Sequence, residues 1–298
     1  MMSQTGDTVI RQPIFIIGTG RSGTTLFLDL LGAHPDLAWF SNYNERFPQW
    51  PWLGMLARVH SLPLANRLLK RNSRYVPRPI ESYRMLDRCT NGLFTQHRNL
   101  TAGDATAEIR SRFHRDVRQQ LHLQAKSRFA TKYTGLPRTG FLNAVFPDAL
   151  FIHVCRDGRA VANSLVRTDW WSSDPVGWRY GDIPTEDMRE YEESGRTPIV
   201  LAGIAWKILM QQIEAECAAL PPDRVLLVRY EDLVRDSVEA MRRAIEFCSL
   251  GWTPEFERHV SSQHIHDMDT KWTRQLSERE QLLLQKTIGE ALGEHGFC

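Results

Sequence analysis

Short apolar-rich runs recur along the chain at Ile14–Ile17, Phe129–Tyr133, Leu150–Cys155 and Val225–Arg229, with a weaker one at Leu37–Phe40. Runs of this kind without strict alternation read as strands buried on both faces, the pattern of a parallel sheet. Between them, Thr24–Ala33, Thr139–Phe146, Arg159–Val166, Ile199–Leu220 and Ser237–Cys248 carry apolar residues at helical spacing, and glycine or proline punctuates most of their ends. Strand and helix alternate, so the expected fold class is α/β, with a central parallel sheet of about four or five strands flanked by helices.

Two stretches break this rhythm and read as insertions. Residues 50–106 are rich in Arg, Pro and amphipathic signal, and residues 168–198 hold Trp170, Trp171, Trp178 and many carboxylates. Segments of that length between core elements serve as binding loops or lids, or stay disordered.

Composition narrows the function classes. With 298 residues, 42% of them hydrophobic, and no linker or repeat, the chain reads as one domain over residues 1–298. A net charge of +2 offers little long-range field, which argues against nucleic acid or a membrane surface held by bulk electrostatics, so any anion site must be local. Cys89, Cys155, Cys217, Cys248 and Cys298 are odd in number and include no C-x-x-C pair. That pattern indicates neither a disulfide framework nor a zinc site, and a reducing cytoplasm fits it. Residues 1–12 are polar and expected to be flexible; Ile199–Met210 is interrupted by Lys207 and too short to span, so no membrane anchor is expected.

The first apolar run feeds directly into Gly18-Thr19-Gly20-Arg21-Ser22-Gly23-Thr24-Thr25. Small residues let successive backbone N–H groups approach an anion, the following helix presents its positive end, and Ser22, Thr24 and Thr25 add hydroxyl donors. The turn is a phosphate cradle, and the domain is P-loop-like. Gly18-x-Gly20-x-x-Gly23 also satisfies a dinucleotide fingerprint, but Leu37–Phe40 is followed by Ser41-Asn42-Tyr43-Asn44, with no acidic residue for a ribose. The Walker frame is present too, yet Thr24 stands where the nucleotide lysine belongs.

Gly20-Arg21-Ser22-Gly23-Thr24-Thr25 resembles the loop of sulfotransferases, which use 3′-phosphoadenosine 5′-phosphosulfate (PAPS); only Gly20 departs, standing for the family's proline. The following Leu26–Asp36, ending in His34-Pro35-Asp36, resembles the Golgi and bacterial branches of that family. A second segment, Leu150–Ser164, resembles the family's strand-Arg-Asp-x-Arg-x-x-x-x-Ser element. The resemblance implies that Arg156 and Ser164 bind the 3′-phosphate; a plain helix-start cluster of Arg156, Asp157 and Arg159 is the alternative. Lys132, near the end of a strand, resembles the lysine that stabilises the sulfuryl group, although a lysine reaching for water reads the same way. The cytosolic branch places a catalytic histidine two residues further on, where this chain has Thr134.

The remaining branches place a glutamate base after the His-Pro-Asp corner, which makes Glu45 the candidate; pairing with Arg46 or a neighbouring arginine is the competing role. Tyr230-Glu231-Asp232-Leu233 resembles a late family element and reads as architecture near the cofactor. Asp269–Ser277 resembles a degenerate cofactor lid in which Trp272 would cover the adenine and Lys271 or Arg274 would meet a phosphate; packing of Trp272 ahead of the Ser277 helix cap is the alternative.

The resemblance implies in-line transfer of a sulfuryl group from PAPS to an alcohol, phenol or amine. Arg21, Lys132 and the Ser22–Thr25 backbone donors would neutralise the developing charge without a metal. A PAPS-binding protein of the same fold that lacks a base, and an NAD-dependent oxidoreductase resting on the glycine fingerprint, are the other readings. The acceptor, whether small molecule, lipid or carbohydrate, is not legible, and the tryptophans at 168–198 suit either its pocket or a contact between copies of the chain.

Overall fold

The computed structural model describes residues 9–61, 75–265 and 270–297. Residues 1–8 of the segment expected to be flexible, Asp269 of the expected lid, and Cys298 lie outside these. Five strands form one sheet: β1 (Ile14–Ile17), β2 (Leu37–Ala38), β3 (Arg128–Lys132), β4 (Leu150–Cys155) and β5 (Val225–Arg229). Their spatial order is β2-β3-β1-β4-β5 and every neighbouring pair is parallel. This matches the expected fold class.

Because β1 is flanked by β3 on one side and β4 on the other, the loops leaving these three strands open around a common crevice. Ligands of open α/β sheets bind at such a switch point, beyond the carboxyl ends of the strands. The pleat divides the core. Phe15 and Ile17 of β1 face a cluster with Phe113, Phe129, Phe141 and Phe146, while Ile14 and Ile16 face the opposite layer with Phe27, Leu30, Leu31 and Val154. Each fully buried side chain of this size contributes about 1.5–3 kcal/mol.

β2 is shorter than the expected Leu37–Phe40. Beyond Ala38 the backbone of Trp39 turns to a side chain instead of β3: Gln124 Oε1 accepts from Trp39 N–H at 3.2 Å, and Gln124 Nε2 donates to Trp39 O at 2.7 Å. Gln124 closes the helix Ala107–Gln124, which the sequence reading lacks. That helix buries Ile109, Phe113, Val117 and Leu121 on one stripe against β3 and the sheet's aromatic layer. Among the described residues no helix is long and apolar enough to cross a membrane.

Candidate active site

The chain leaves β1 through Gly18–Gly23 and enters the helix Thr24–Leu31. Ser22 fixes the turn by donating both its backbone N–H and its hydroxyl to Thr19 O, at 3.3 and 2.8 Å. Its hydroxyl is thereby committed to the turn. Arg21 and Gly23 both adopt left-handed backbone, with φ of 70° and 93°. Glycine is required at 23 on a second ground, since a Cβ there would stand 2.2 Å from Tyr230 Cδ2. The helix that begins here has no side-chain cap and no acidic residue in its first turn. Its first N–H groups and the positive end of its dipole therefore face the crevice.

Three cations meet this turn. Arg21 Nε donates to Ser164 Oγ at 2.8 Å, and Arg156 Nη1 donates to Arg21 O at 3.3 Å, so the chain does fold back to bring Arg156 and Ser164 together. Arg156, only 8% exposed, lies with its Cζ 4.1 Å from the Tyr230 ring centroid, and Trp206 Nε1 holds its carbonyl at 3.2 Å. The helix-start reading of this segment is also present, one residue on: Asp157 accepts from Arg159 N–H at 2.8 Å and pairs with its guanidinium.

Lys132 is the third cation, in register with Ile16 of β1 and 3% exposed. A lysine that deep must be paired. Its Nζ donates to Glu81 Oε2 at 2.8 Å and lies 3.5 Å from Thr24 Oγ1. The other carboxylate oxygen, Oε1, accepts from Thr134 Oγ1 at 2.9 Å. Glu81 arrives from the first insertion because the chain just before it runs beside the segment after β2: Asn42 N–H donates to Arg78 O, Ile80 N–H donates to Phe40 O, and Ser41 and Pro79 form an antiparallel bridge. Tyr83, two residues on, donates its hydroxyl to Thr134 O at 2.8 Å. Burial, and then the charge of Glu81, push that phenol well above its ordinary pKa.

These groups line a cavity of about 780 Å³. The strand-end loops give it Arg21, Gly23, Thr24, Lys132, Arg156 and Tyr230. The first insertion adds Glu81, Tyr83 and Phe94–His97, and the second adds Trp170–Ser172 and Gly177–Tyr180. Described parts of both insertions are thus walls of one cavity, residues 62–74 of the first lying outside the described residues. In the second wall the Trp171 and Tyr180 rings stack 5.9 Å apart and Trp178 meets Tyr180 edge-on at 5.3 Å. The first wall is pinned by Arg138, 5% exposed, whose guanidinium donates to the carbonyls of Phe94, Gln96 and Leu136 and lies 4.8 Å from the Phe94 ring.

The structure brings Gly20, Arg21, Gly23, Thr24, Thr25, Lys132 and Arg156 to the cavity, with Ser164 behind Arg21. It does not bring Glu45, Lys271, Trp272 or Arg274 to it. Glu45 Oε2 accepts from Ser82 Oγ at 3.1 Å and from Arg84 N–H at 2.9 Å, which fastens the start of the helix Tyr83–Thr90. Trp272 lies under Arg159, 4.8 Å from its Cζ, on a short helix packed against Gly158–Leu165, with Lys271 and Arg274 exposed to solvent. Glu81, Tyr83 and Arg138 are site residues the sequence reading did not find, and Tyr230, read there as architecture near the cofactor, lines the cavity itself. Tyr230 follows the end of β5 and so carries the same strand-end signal as Lys132 and Arg156.

Comparison with known proteins adds the chemistry. Residues 13–254 match the profile of the Sulfotransferase family. The chain is similar to a protein-tyrosine sulfotransferase of Drosophila melanogaster, 25% identical over 247 residues, covering 83% of this chain and 40% of that protein. It is equally similar to protein-tyrosine sulfotransferase A of Caenorhabditis elegans, 25% identical over 247 residues, covering 83% of this chain and 52% of the relative. The chain therefore spans about half the length of these curated relatives, or less. Its fold is similar to that of a sulfotransferase from Mycobacterium avium, with a TM-score of 0.55 and 16% identity over 97% of this chain and 78% of that one. A Mycobacterium tuberculosis sulfotransferase gives 0.54 and 17% identity over 95% and 78%.

Proposed function

Because this chain belongs to the sulfotransferase family, we propose that it moves a sulfuryl group from PAPS to the hydroxyl of a small, flat, largely apolar acceptor. The observation that carries the reading is the meeting of Arg21, Lys132 and Arg156 around the uncapped start of the helix Thr24–Leu31. A nucleotide bearing both a 5′-phosphosulfate and a 3′-phosphate presents two separated anionic groups, and these cations stand at two corners of one crevice. The absence of a Cβ at Gly23 lets the Tyr230 ring, which carries Arg156, pack against this turn.

Each residue then has a task. The first-turn N–H groups and Thr24 hold the 5′-phosphate, whose negative charge grows as the donor bond breaks. Lys132, next to Thr24, neutralises the equatorial oxygens of the group in flight. Arg156 and Arg21 take the 3′-phosphate, and Ser164 keeps the Arg21 guanidinium aimed. Fixed cations in a buried crevice need no reorganisation at the moment of reaction; removing one such donor typically costs about 10²–10³-fold in kcat.

The acceptor half supports the rest. Tyr83, Trp171, Trp178 and Tyr180 bring aromatic surface to a planar apolar body, and a cavity of about 780 Å³ lies within the range of small-molecule sites.

The test is calorimetric titration with adenosine 3′,5′-bisphosphate against NAD, followed by incubation with radiolabelled PAPS and a panel of phenols and alcohols. Binding of the bisphosphate with label appearing on an aromatic hydroxyl is the expected outcome. Binding of NAD in its place would sink the reading, and bisphosphate binding with no transfer would leave a nucleotide-binding protein of the same fold.

A further inference from the structure

Resting on that reading, we propose that Glu81 is the general base that takes the acceptor's proton. Of the described residues lining the cavity it is the one carboxylate, and it stands where the donor and acceptor halves meet. On one side its Oε2 is 2.8 Å from Lys132 Nζ, the cation that also reaches Thr24 at the helix start. On the other, Tyr83 and Phe94 begin the aromatic wall.

A plain structural ion pair accounts for this geometry less well. Lys132 is buried, with its side chain 4% exposed, whereas the Glu81 side chain is 20% exposed and lines the cavity. An ionised carboxylate has about four acceptor sites, and the contacts with Lys132 and Thr134 use two of them. Capacity remains on both oxygens for an incoming O–H donor. Those same two contacts fix the carboxylate plane, as a base that must meet a proton in one geometry requires. Glu45 has no such opening, because it does not line the cavity and its Oε2 is turned to Ser82 and Arg84.

The step balances without a further reactant. As the acceptor oxygen forms its bond to sulfur, the sulfur–oxygen bond to the 5′-phosphate breaks, and its electron pair leaves with adenosine 3′,5′-bisphosphate. The acceptor's proton passes to Glu81 and from there to solvent. Lys132 holds the carboxylate and, from the same position beside Thr24, faces the transferring group.

The experiment follows cleavage of PAPS by the full chain with 2-naphthol, with 4-nitrophenol and with water as acceptors. Glu81→Gln should slow transfer to 2-naphthol by about 10²–10⁴-fold. The loss should be much smaller with 4-nitrophenol at about pH 8, where this acceptor is largely ionised and needs no base. The acid limb of the kcat/KM profile should vanish, and affinity for adenosine 3′,5′-bisphosphate should stay within about twofold. Equal losses with both phenols and an unchanged pH profile would overturn the proposal and leave Glu81 as a residue that positions Lys132. If the unaltered chain turns over neither phenol, its slow transfer to water serves instead, and a Glu81→Gln rate equal to that of the unaltered chain overturns the assignment. An unaltered chain that fails to cleave PAPS with any of the three acceptors, water included, overturns the parent reading. Should Glu81→Gln fail to fold, Glu81→Asp replaces it, with the same unequal loss between the phenols expected and an equal loss decisive against it.

Discussion

The Tyr230 ring occupies the space that a side chain on Gly23 would need, and the same ring carries the Arg156 guanidinium on its face. One aromatic residue thus joins the turn after β1 to the cation after β4. Gly23→Ala would strain a backbone already at φ 93° and displace that ring. Affinity for adenosine 3′,5′-bisphosphate should fall at least tenfold, measured by titration calorimetry. Gly20→Ala should leave it unchanged within about twofold, because a Cβ there meets nothing closer than Trp170 at 3.6 Å.

Arg156→Ala should weaken the bisphosphate by roughly ten- to a hundredfold, since hydrogen bonds to charged groups contribute about 1.5–3 kcal/mol. Arg156→Lys should recover only part of this: lysine keeps the charge but loses the flat contact with Tyr230 and the second donor. A lysine variant that binds as well as the parent chain would show that charge alone suffices.

Removing Lys132 should affect folding as well as turnover. Lys132→Met leaves the Glu81 carboxylate without its cation, at a cost of about 3 kcal/mol, the low end for a broken buried pair because Glu81 keeps some contact with solvent. Adding Glu81→Gln should restore much of that stability and none of the activity. The check is chemical denaturation beside PAPS turnover for both single variants and the double.

Acidification should destabilise the chain through His153 of β4. Burial, and then the nearby His295, push its pKa down to about 4, against about 6.5 in the unfolded chain. The folded ring stays neutral while the unfolded ring binds a proton. Its contribution is complete above pH 6.5 and is lost as pH falls toward 4, up to about 3 kcal/mol. Glu214 and Glu216 have raised pKa values and slope the other way, so the readout is a difference. The melting temperature of His153→Leu should fall less between pH 7 and pH 4.5 than that of the parent chain.

The half of the cavity proposed for the donor was legible because its residues are contiguous with the strands: Gly18–Thr25, Lys132 and Arg156 each follow or end an apolar run that periodicity identifies. The acceptor half was not. Glu81 and Lys132 lie 51 residues apart, and only the pairing of residues 78–80 with 40–42 brings the carboxylate across. In one dimension nothing distinguishes Glu81 from Glu45; the cavity separates them, since Glu81 lines it and Glu45 does not. The stripe Ile109, Phe113, Val117 and Leu121 was visible in principle, but it is one residue wide within an arginine- and glutamine-rich stretch. Trp272 shows the converse error, since a motif-like context is indifferent to whether a ring lies under Arg159 or over a ligand.

Arg138 hydrogen-bonds the first insertion through the main-chain oxygens of Phe94 and Gln96, which every amino acid supplies. Residues 95–97 can therefore change identity while the backbone stays on the same peg and Phe94 stays in the core. In evolutionary terms acceptor choice can drift along this wall at little cost to folding. A library confined to Thr95, Gln96 and His97 is accordingly a place where new acceptors can be sought without rebuilding the donor side.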